Sequence, residues 1–243
     1  MIDIHCHILP GVDDGPLGME ETRQILAEAQ KAGVKTIIAT PHYSHGLYEN
    51  GMVGQVFDRV KTEAKNYGIE LYRGYEIKIH QYPARMPDDY RDLDLAGSKY
   101  ILMELPFKDF PSYTFDLIYQ LQINGFTVII AHPERCRKLA AEKRIFEDMY
   151  DNGCLMQIDA ASIIGVNGWG ARLFAKEIIR SHKAAFVASD AHDPEDYSKY
   201  YVEAYKRVQK WVGRDAAEGL FGKNARKIIE CISGCIENVT ATP

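Results

Sequence analysis

Seven short apolar or β-branched runs punctuate the chain: MIDIH, VKTIIAT, IELYRGYEI, YILMEL, TVIIAH, LMQID and AAFVASD. Between them lie longer segments whose apolar residues recur at helical spacing, the alternation expected of βα units around a parallel sheet or barrel. From 52 to 67, Val53, Val56, Phe57, Val60 and Ala64 trace one helical face, and Gly68 stands where a left-handed C-terminal cap is wanted. Gly33 and Gly125 end two further helices in the same way. Tyr113 to Asn124 collects Leu117, Ile118 and Leu121, a later segment collects Val202, Tyr205, Val208 and Val212, and Asn224 is expected to N-cap a last helix over ARKIIECI.

The residues at the carboxyl ends of these runs carry more information than the runs themselves. His5 and His7 end the first, His42 comes just after the second, Glu76 ends the third and Glu104 the fourth; His132 ends the fifth, Asp159 the sixth, and Asp190 with His192 the seventh. In a parallel α/β barrel the carboxyl ends of the strands converge on one mouth, so residues far apart in sequence meet there. On an extended strand residues i and i+2 share a face, which makes His5 and His7 a pincer and turns Cys6 away. A lone His-x-His is weak evidence, but the same kind of residue at the end of every strand is not scattered decoration. With Asp14 from the loop VDDG, the set is His5, His7, Asp14, His42, Glu76, Glu104, His132, Asp190 and His192, enough for two or three metal ions if carboxylates bridge.

Mixed imidazole and carboxylate donors without cysteine suit Mn²⁺, Fe or Zn²⁺ rather than a thiolate structural site. Several ions together activate water and hold both attacking and leaving oxygens, the logic of phosphoester or amide hydrolysis. Arg135, three residues after His132, is placed to offer a guanidinium fork to a phosphate. Other chemistries lack their motifs: there is no G-x-x-x-x-G-K-[ST], no G-x-G-x-x-G after a strand, no G-x-S-x-G, and no cysteine followed six residues later by arginine.

Composition narrows the class further. A length of 243 residues with 46% hydrophobic and 26% charged positions is ordinary for a globular protein, and no linker divides it, so one domain over 1–243 is expected. A net charge of −5 without a run of Lys and Arg argues against a nucleic-acid partner. No secretory leader or transmembrane-length apolar stretch is visible, and five unpatterned cysteines suit a reducing compartment, so a cytoplasmic protein without membrane insertion is expected.

DIHCHILPGVDDGP, ATPHY, GYEI, MELPF, IIAHPER, SDAH and FGKNARKII together resemble the polymerase-and-histidinol-phosphatase (PHP) family. Within it they resemble the manganese-dependent protein-tyrosine phosphatases of bacterial capsule and exopolysaccharide operons. The resemblance implies a distorted (β/α)₇ TIM-like barrel with a trinuclear cluster, Mn²⁺ being the expected metal. It assigns His5, His7, Glu76 and Asp190 to one ion; Glu76, Glu104 and His132 to a second; Asp14, His42 and His192 to a third. Asp13 is a possible swap for Asp14, or a turn residue.

The implied reaction is hydrolysis of phosphotyrosine without a phosphoenzyme, with Arg135, Asp14 and His42 at the chemistry. The implied partner is the tyrosine-rich tail of a bacterial tyrosine kinase that regulates polysaccharide synthesis. Relatives of this kind commonly carry a second phosphate-binding arginine after the SDAH histidine; here DAHDPEDYSKYYVEAY has none, and Lys199 is the nearest substitute, a point charge without the bidentate fork. The acidic DPED is expected to cap the following helix. Tyr43, and His45 with Tyr48, are expected to line the mouth, whereas His80 and His182 carry no assigned role. The alternatives are a PHP phosphoesterase acting on a small phosphomonoester such as histidinol phosphate or a nucleotide, a metal-dependent amidohydrolase, and a docking protein without catalysis.

Overall fold

Nine strands, all paired in parallel, make up the seven staves of a ring in the computed structural model, which describes residues 1–43 and 52–230. They are β1 (Ile2–Cys6), β2 (Thr36–Ala39), β3 (His42–Tyr43), β4 (Glu70–Arg73), β5 (Glu76–Lys78), β6 (Tyr100–Glu104), β7 (Thr127–Ala131), β8 (Leu155–Asp159) and β9 (Ala184–Ala188). The predicted run IELYRGYEI is an interrupted strand, β4 continuing into β5 across Gly74 and Tyr75, whereas VKTIIAT ends before β3, into which β2 continues across Thr40 and Pro41. Pairing persists through both breaks, because Gly74 N–H donates to Ala39 O at 2.9 Å and Glu76 N–H to Pro41 O at 3.2 Å. The orders β1-β2-β4 and β3-β5-β6-β7-β8-β9 are therefore two arcs of one ring. The ring closes where Asp190 N–H donates to His5 O (3.0 Å) and His7 N–H to Ala191 O (2.8 Å). This is the distorted (β/α)₇ barrel expected from the sequence.

Inside the ring the two-residue strand period stacks layers. Ile4, Ile38, Leu102, Ile129, Ala131, Phe186 and Ala188 form one buried apolar cluster, joined by Leu95, Ala225 and Ile228. Continuing upward by two residues along the same faces gives Glu104 above Leu102, Asp190 above Ala188, and Glu76 above Gly74 and Tyr72. Gly74 lacks a side chain for a steric reason: a Cβ there would lie 2.7 Å from Leu95 Cδ2.

The first stave departs from simple alternation. Ile4 lies in the barrel interior, yet its neighbour His5 also reaches the interior site, because the β1–β2 register shifts between Asp3 and Cys6. The buried Asp3 carboxylate holds that irregularity, accepting from the N–H groups of His5 (3.3 Å) and Ser189 (3.1 Å) and from Tyr197 Oη (2.6 Å).

The outer layer consists of α1 (Met19–Lys31), α2 (Val53–Ala64), α3 (Thr114–Ile123), α4 (Arg137–Ala141), α5 (Lys143–Asp151), α6 (Ala160–Ile164), α7 (Trp169–Arg180), α8 (Val202–Val212) and α9 (Arg214–Leu220). Their apolar faces bury the outer residues of the strands in a second, larger core. The predicted helix of 52–67 is α2 followed by a 3₁₀ turn at Lys65–Tyr67, with Gly68 at φ 63° as its left-handed cap. Asp193 Oδ1 accepts from Glu195 N–H at 2.8 Å, so the DPED stretch does open the helical turns that lead through a π-helical Asp196–Tyr201 into α8. One expectation is corrected: Asn224 lies inside a 3₁₀ turn, Lys223–Ala225, rather than capping a helix, because its Nδ2 is committed to Ala185 O at 2.8 Å. Cys6, Cys136 and Cys154 are buried free thiols; His45, Tyr48, Cys231 and Cys235 lie outside the described residues. No helix among the described residues is long and apolar enough to cross a membrane.

Candidate metal centre

The nine side chains converge at the carboxyl ends of the staves. His5, His7, Glu76, Glu104, His132 and Asp190 are buried, whereas His42, His192 and Asp14 stand progressively more open at the rim. Their donor atoms form four overlapping groups: His7, Asp14, His42 and His192; His5, His7 and Asp190; His5, Glu76 and His132; and His42, Glu76 and Glu104. Glu76 is shared, as a bridging carboxylate requires. Glu104 groups with His42 and Glu76 rather than with His132, because β3, β5 and β6 are neighbours and His42 sits in direct register with Glu76.

Backbone turns at the strand ends aim these groups. His132 would point outward if β7 simply continued its alternation beyond Ala131, but a left-handed backbone (φ 30°) turns it into the site. Asp190 is also left-handed, at φ 51°. Non-glycine residues held in this region cost free energy and occur where surrounding structure enforces them, often at functional sites. The loop VDDG is pressed equally hard against the first stave: a Cβ on Gly15 would fall 2.0 Å from His7 O, so only glycine lets this loop reach the site.

Outer partners orient the imidazoles. Gln157 Oε1 lies 2.9 Å from His5 Nδ1, Asp13 Oδ2 lies 2.7 Å from His7 Nδ1, and the Asp190 carbonyl oxygen lies 2.8 Å from His192 Nδ1. An acceptor at Nδ1 fixes the proton there and leaves the Nε2 lone pair facing inward, the usual support for a metal-ligating histidine. His5 Nε2 and His7 Nε2 consequently face each other at 3.1 Å. Two lone pairs at that distance repel unless a proton or a metal ion lies between or beside them. The spacing is that of neighbouring ligands on one ion, given metal–nitrogen bonds of about 2.0–2.1 Å.

The charges point the same way. Burial alone would depress the pKa of His5, but Glu76 and Asp190 outweigh it and hold it well above its usual value. For Glu76 and Asp190, burial acts against ionisation, yet the surrounding histidines hold both carboxyls well below the usual range. Hydrogen bonds from His192 and His42 likewise depress Asp14. Buried carboxylates of this kind are stable only with cations beside them. Glu104 Oε2 is the least satisfied: it has no hydrogen bond among the described residues, although Lys78 Nζ approaches to 3.2 Å as an ion pair. The donor set, inward lone pairs and surplus of buried anionic groups fit a cluster of divalent ions.

At the edge of the cluster, Arg135 Nη1 donates to Asp190 Oδ2 at 2.6 Å, and its guanidinium lies 4.5 Å from the centre of the Phe107 ring. Lys78 Nζ stands 5.5 Å from the same ring. Tyr43 is half-buried and meets Tyr75 edge-on at 5.9 Å. Lys199 lies on the exposed side of its helical turn, paired with Glu195 at 2.6 Å. Asp159 is buried behind Arg135, where it caps α6 by accepting from Ala161 N–H (2.7 Å). Burial, with Asp190 and Glu134 nearby, raises its pKa to about 7.

Sequence reasoning passed over Gln157, Lys78, Phe107 and the outer role of Asp13. Gln157 and Lys78 were within reach, since each lies two residues along its strand from a singled-out carboxylate, Asp159 or Glu76, and so shares its face.

The first 230 residues match the family model described as capsular polysaccharide synthesis, CpsB/CapC. The chain is 34% identical over 219 residues to tyrosine-protein phosphatase YwqE of Bacillus subtilis, covering 88% of this chain and 86% of the relative. It is 30% identical over 238 residues to tyrosine-protein phosphatase CpsB of Streptococcus pneumoniae, covering 94% and 98%. Among solved structures it is similar, with a TM-score of 0.85, 32% identity and 95% of each chain covered, to one from a study of YwqE and CpsB described as metal-dependent tyrosine phosphatases. A lactonase of Listeria monocytogenes, at 13% identity and a TM-score of 0.60 over 93% of each chain, shares the fold alone. A family match of this extent on a barrel of this topology has one consequence: the chain belongs to the CpsB/CapC capsular polysaccharide synthesis family.

Proposed function

We propose that this chain is a single-domain, cytoplasmic, manganese-dependent phosphotyrosine-protein phosphatase whose substrate is the phosphorylated tail of a tyrosine kinase controlling capsular or exopolysaccharide synthesis. The observation that carries the reading is the convergence of nine ligand-type side chains beside Arg135, in a chain similar to proteins named tyrosine-protein phosphatases. Three ions would be shared among the four overlapping groups, His5, His7 and Asp190; His5, Glu76 and His132; Glu76, Glu104 and His42; and His7, Asp14, His42 and His192, with Glu76 as a bridge. Bound there, such a cluster supplies Lewis acidity toward water and toward the phosphoryl oxygens.

The chain's own groups do the rest. Arg135 is preset at the edge of the cluster by Asp190 and Phe107, and its remaining N–H donors would bind equatorial phosphoryl oxygens, whose charge grows toward the transition state. Lys78, with its Nζ also near the Phe107 ring, supplies a second positive charge there, a better-placed counterpart to Arg135 than the exposed Lys199. Asp14 and His42, the latter with Nδ1 3.1 Å from Glu76 Oε2, sit near the opening, where a proton reaches the departing phenolate oxygen without crossing the buried cluster.

Phosphate release from a phosphotyrosine peptide by metal-stripped protein, with and without Mn²⁺, tests this. Rapid release only with metal is expected. Folded, metal-loaded protein that ignores phosphotyrosine but hydrolyses histidinol phosphate or a nucleotide would replace the reading with a small-molecule phosphoesterase.

A further inference from the structure

Arg135 and Phe107 face two spaces. One is the metal mouth; the other is a cleft of about 640 Å³ between α4 and the start of α7. Arg137, Ala140, Ala141, Gly170 and Ala171 line this cleft. A phosphotyrosine held at Arg135 would have its phosphoryl group in the first space, while the chain on one side of it runs along the second. A free small phosphate would leave the cleft empty.

We infer, resting on the phosphatase function proposed for this site, that this cleft seats the residues flanking phosphotyrosine and selects acidic ones. Three features support the inference. Arg137 is exposed in the cleft and has no ion pair among the described residues, unlike Lys138 and Lys143 close by in sequence, which pair with Glu142 and Glu177. The one carboxylate among the described residues lining the cleft, Glu134, is buried, with Oε1 accepting from Asp159 N–H at 3.0 Å, so it presents little charge to a ligand. One wall is built of the small residues Ala140, Ala141, Gly170 and Ala171, open enough for an extended backbone, and Phe107, 40% exposed, offers the aromatic surface typical of peptide-binding anchors.

Charge reversal and steric filling test the inference separately. A Cβ added at Gly170 meets nothing within 4 Å, so the backbone there accepts a side chain, and Gly170→Trp is chosen to fill the cleft, its fold checked by circular dichroism. With Mn²⁺, kcat/KM is measured on free O-phosphotyrosine and on two peptides whose phosphotyrosine is flanked by glutamates or by lysines. Wild type is expected to favour the glutamate peptide about fivefold, and Arg137→Glu to erase or invert that preference. Gly170→Trp is expected to lower the peptide-to-phosphotyrosine ratio about tenfold.

Unchanged ratios in both variants, with free phosphotyrosine still hydrolysed, would overturn the cleft while leaving the phosphatase function standing. No turnover of any of the three substrates by metal-loaded wild type would overturn that function and the cleft with it.

Discussion

The two ends of the barrel interior are built from the same staves by opposite rules. The lower layer, with Ile4, Ile38, Leu102, Ile129 and Phe186, is dry and apolar, and its burial stabilises the ring by about 1.5–3 kcal/mol per large side chain. Two residues further along the same strands, Glu104 and Asp190 are buried among imidazoles and Glu76, an arrangement that opposes folding until cations neutralise it. The lower half makes the upper half possible: it supplies a rigid floor that keeps water out from below and fixes strand ends to the precision that a ligand set needs.

The largest effect expected from breaking this division is catalytic. Replacing His5 and His7 together by Ala should abolish metal-dependent phosphate release and, by stripping the buried Glu76 and Asp190 of imidazole partners, lower Tm while the apolar floor keeps the barrel folded. A variant that retained wild-type turnover in Mn²⁺ would place the site elsewhere. The converse change, Phe186→Ala in the floor, should cost about 3–5 kcal/mol in urea denaturation while the fraction still folded keeps its turnover.

A finer cut lies within one stave. Gln157→Leu removes the acceptor from His5 Nδ1 but keeps the ring in place, and should weaken Mn²⁺ binding by about 10- to 100-fold in a metal titration.

The smallest effect concerns the opposite end of that same strand. Cys154, immediately before β8, is buried, which pushes its thiol from 9.0 up to about 12. The folded state therefore favours the neutral thiol. Its contribution to stability is complete below pH about 9 and is lost between about 9 and 12, amounting to about 1.4 kcal/mol by pH 10. Urea midpoints of wild type and Cys154→Ala compared across that range should converge as the pH rises; parallel curves would show that burial does not control this thiol.

Much of this division can be read from the sequence, and the parts that cannot have physical causes. The carboxylates at Glu76, Glu104 and Asp190 are legible because strand alternation carries an inward face from apolar to ionisable positions without interruption. His5 and His7 are legible as a pair, but not the register shift that lets Ile4 and His5 share the interior, since it depends on Asp3 accepting from Ser189, 186 residues away. The choice between Asp13 and Asp14 is likewise tertiary. Adjacent identical residues differ only in what they meet: Asp13 the back of His7, Asp14 the open side of His42 and His192. The break between β4 and β5 falls inside one predicted run, because hydrogen bonding continues across it, whereas β3 lies beyond its run, since Pro41 interrupts the apolar pattern after Thr40.

Closure of the ring between the first stave and the last has a consequence during synthesis. Cys6 and Ala191, whose bridge seals the barrel, are 185 residues apart. At about 5–20 residues per second, the ribosome needs roughly 10 to 40 s after making His5 and His7 before it supplies Asp190 to face them. Throughout that interval the nascent chain has an unsealed barrel, an unpaired β1 edge and two imidazoles without Asp190. Metal acquisition is thereby tied to synthesis of the last stave, and any factor that guards the emerging chain must cover β1 until β9 and Asp190 arrive.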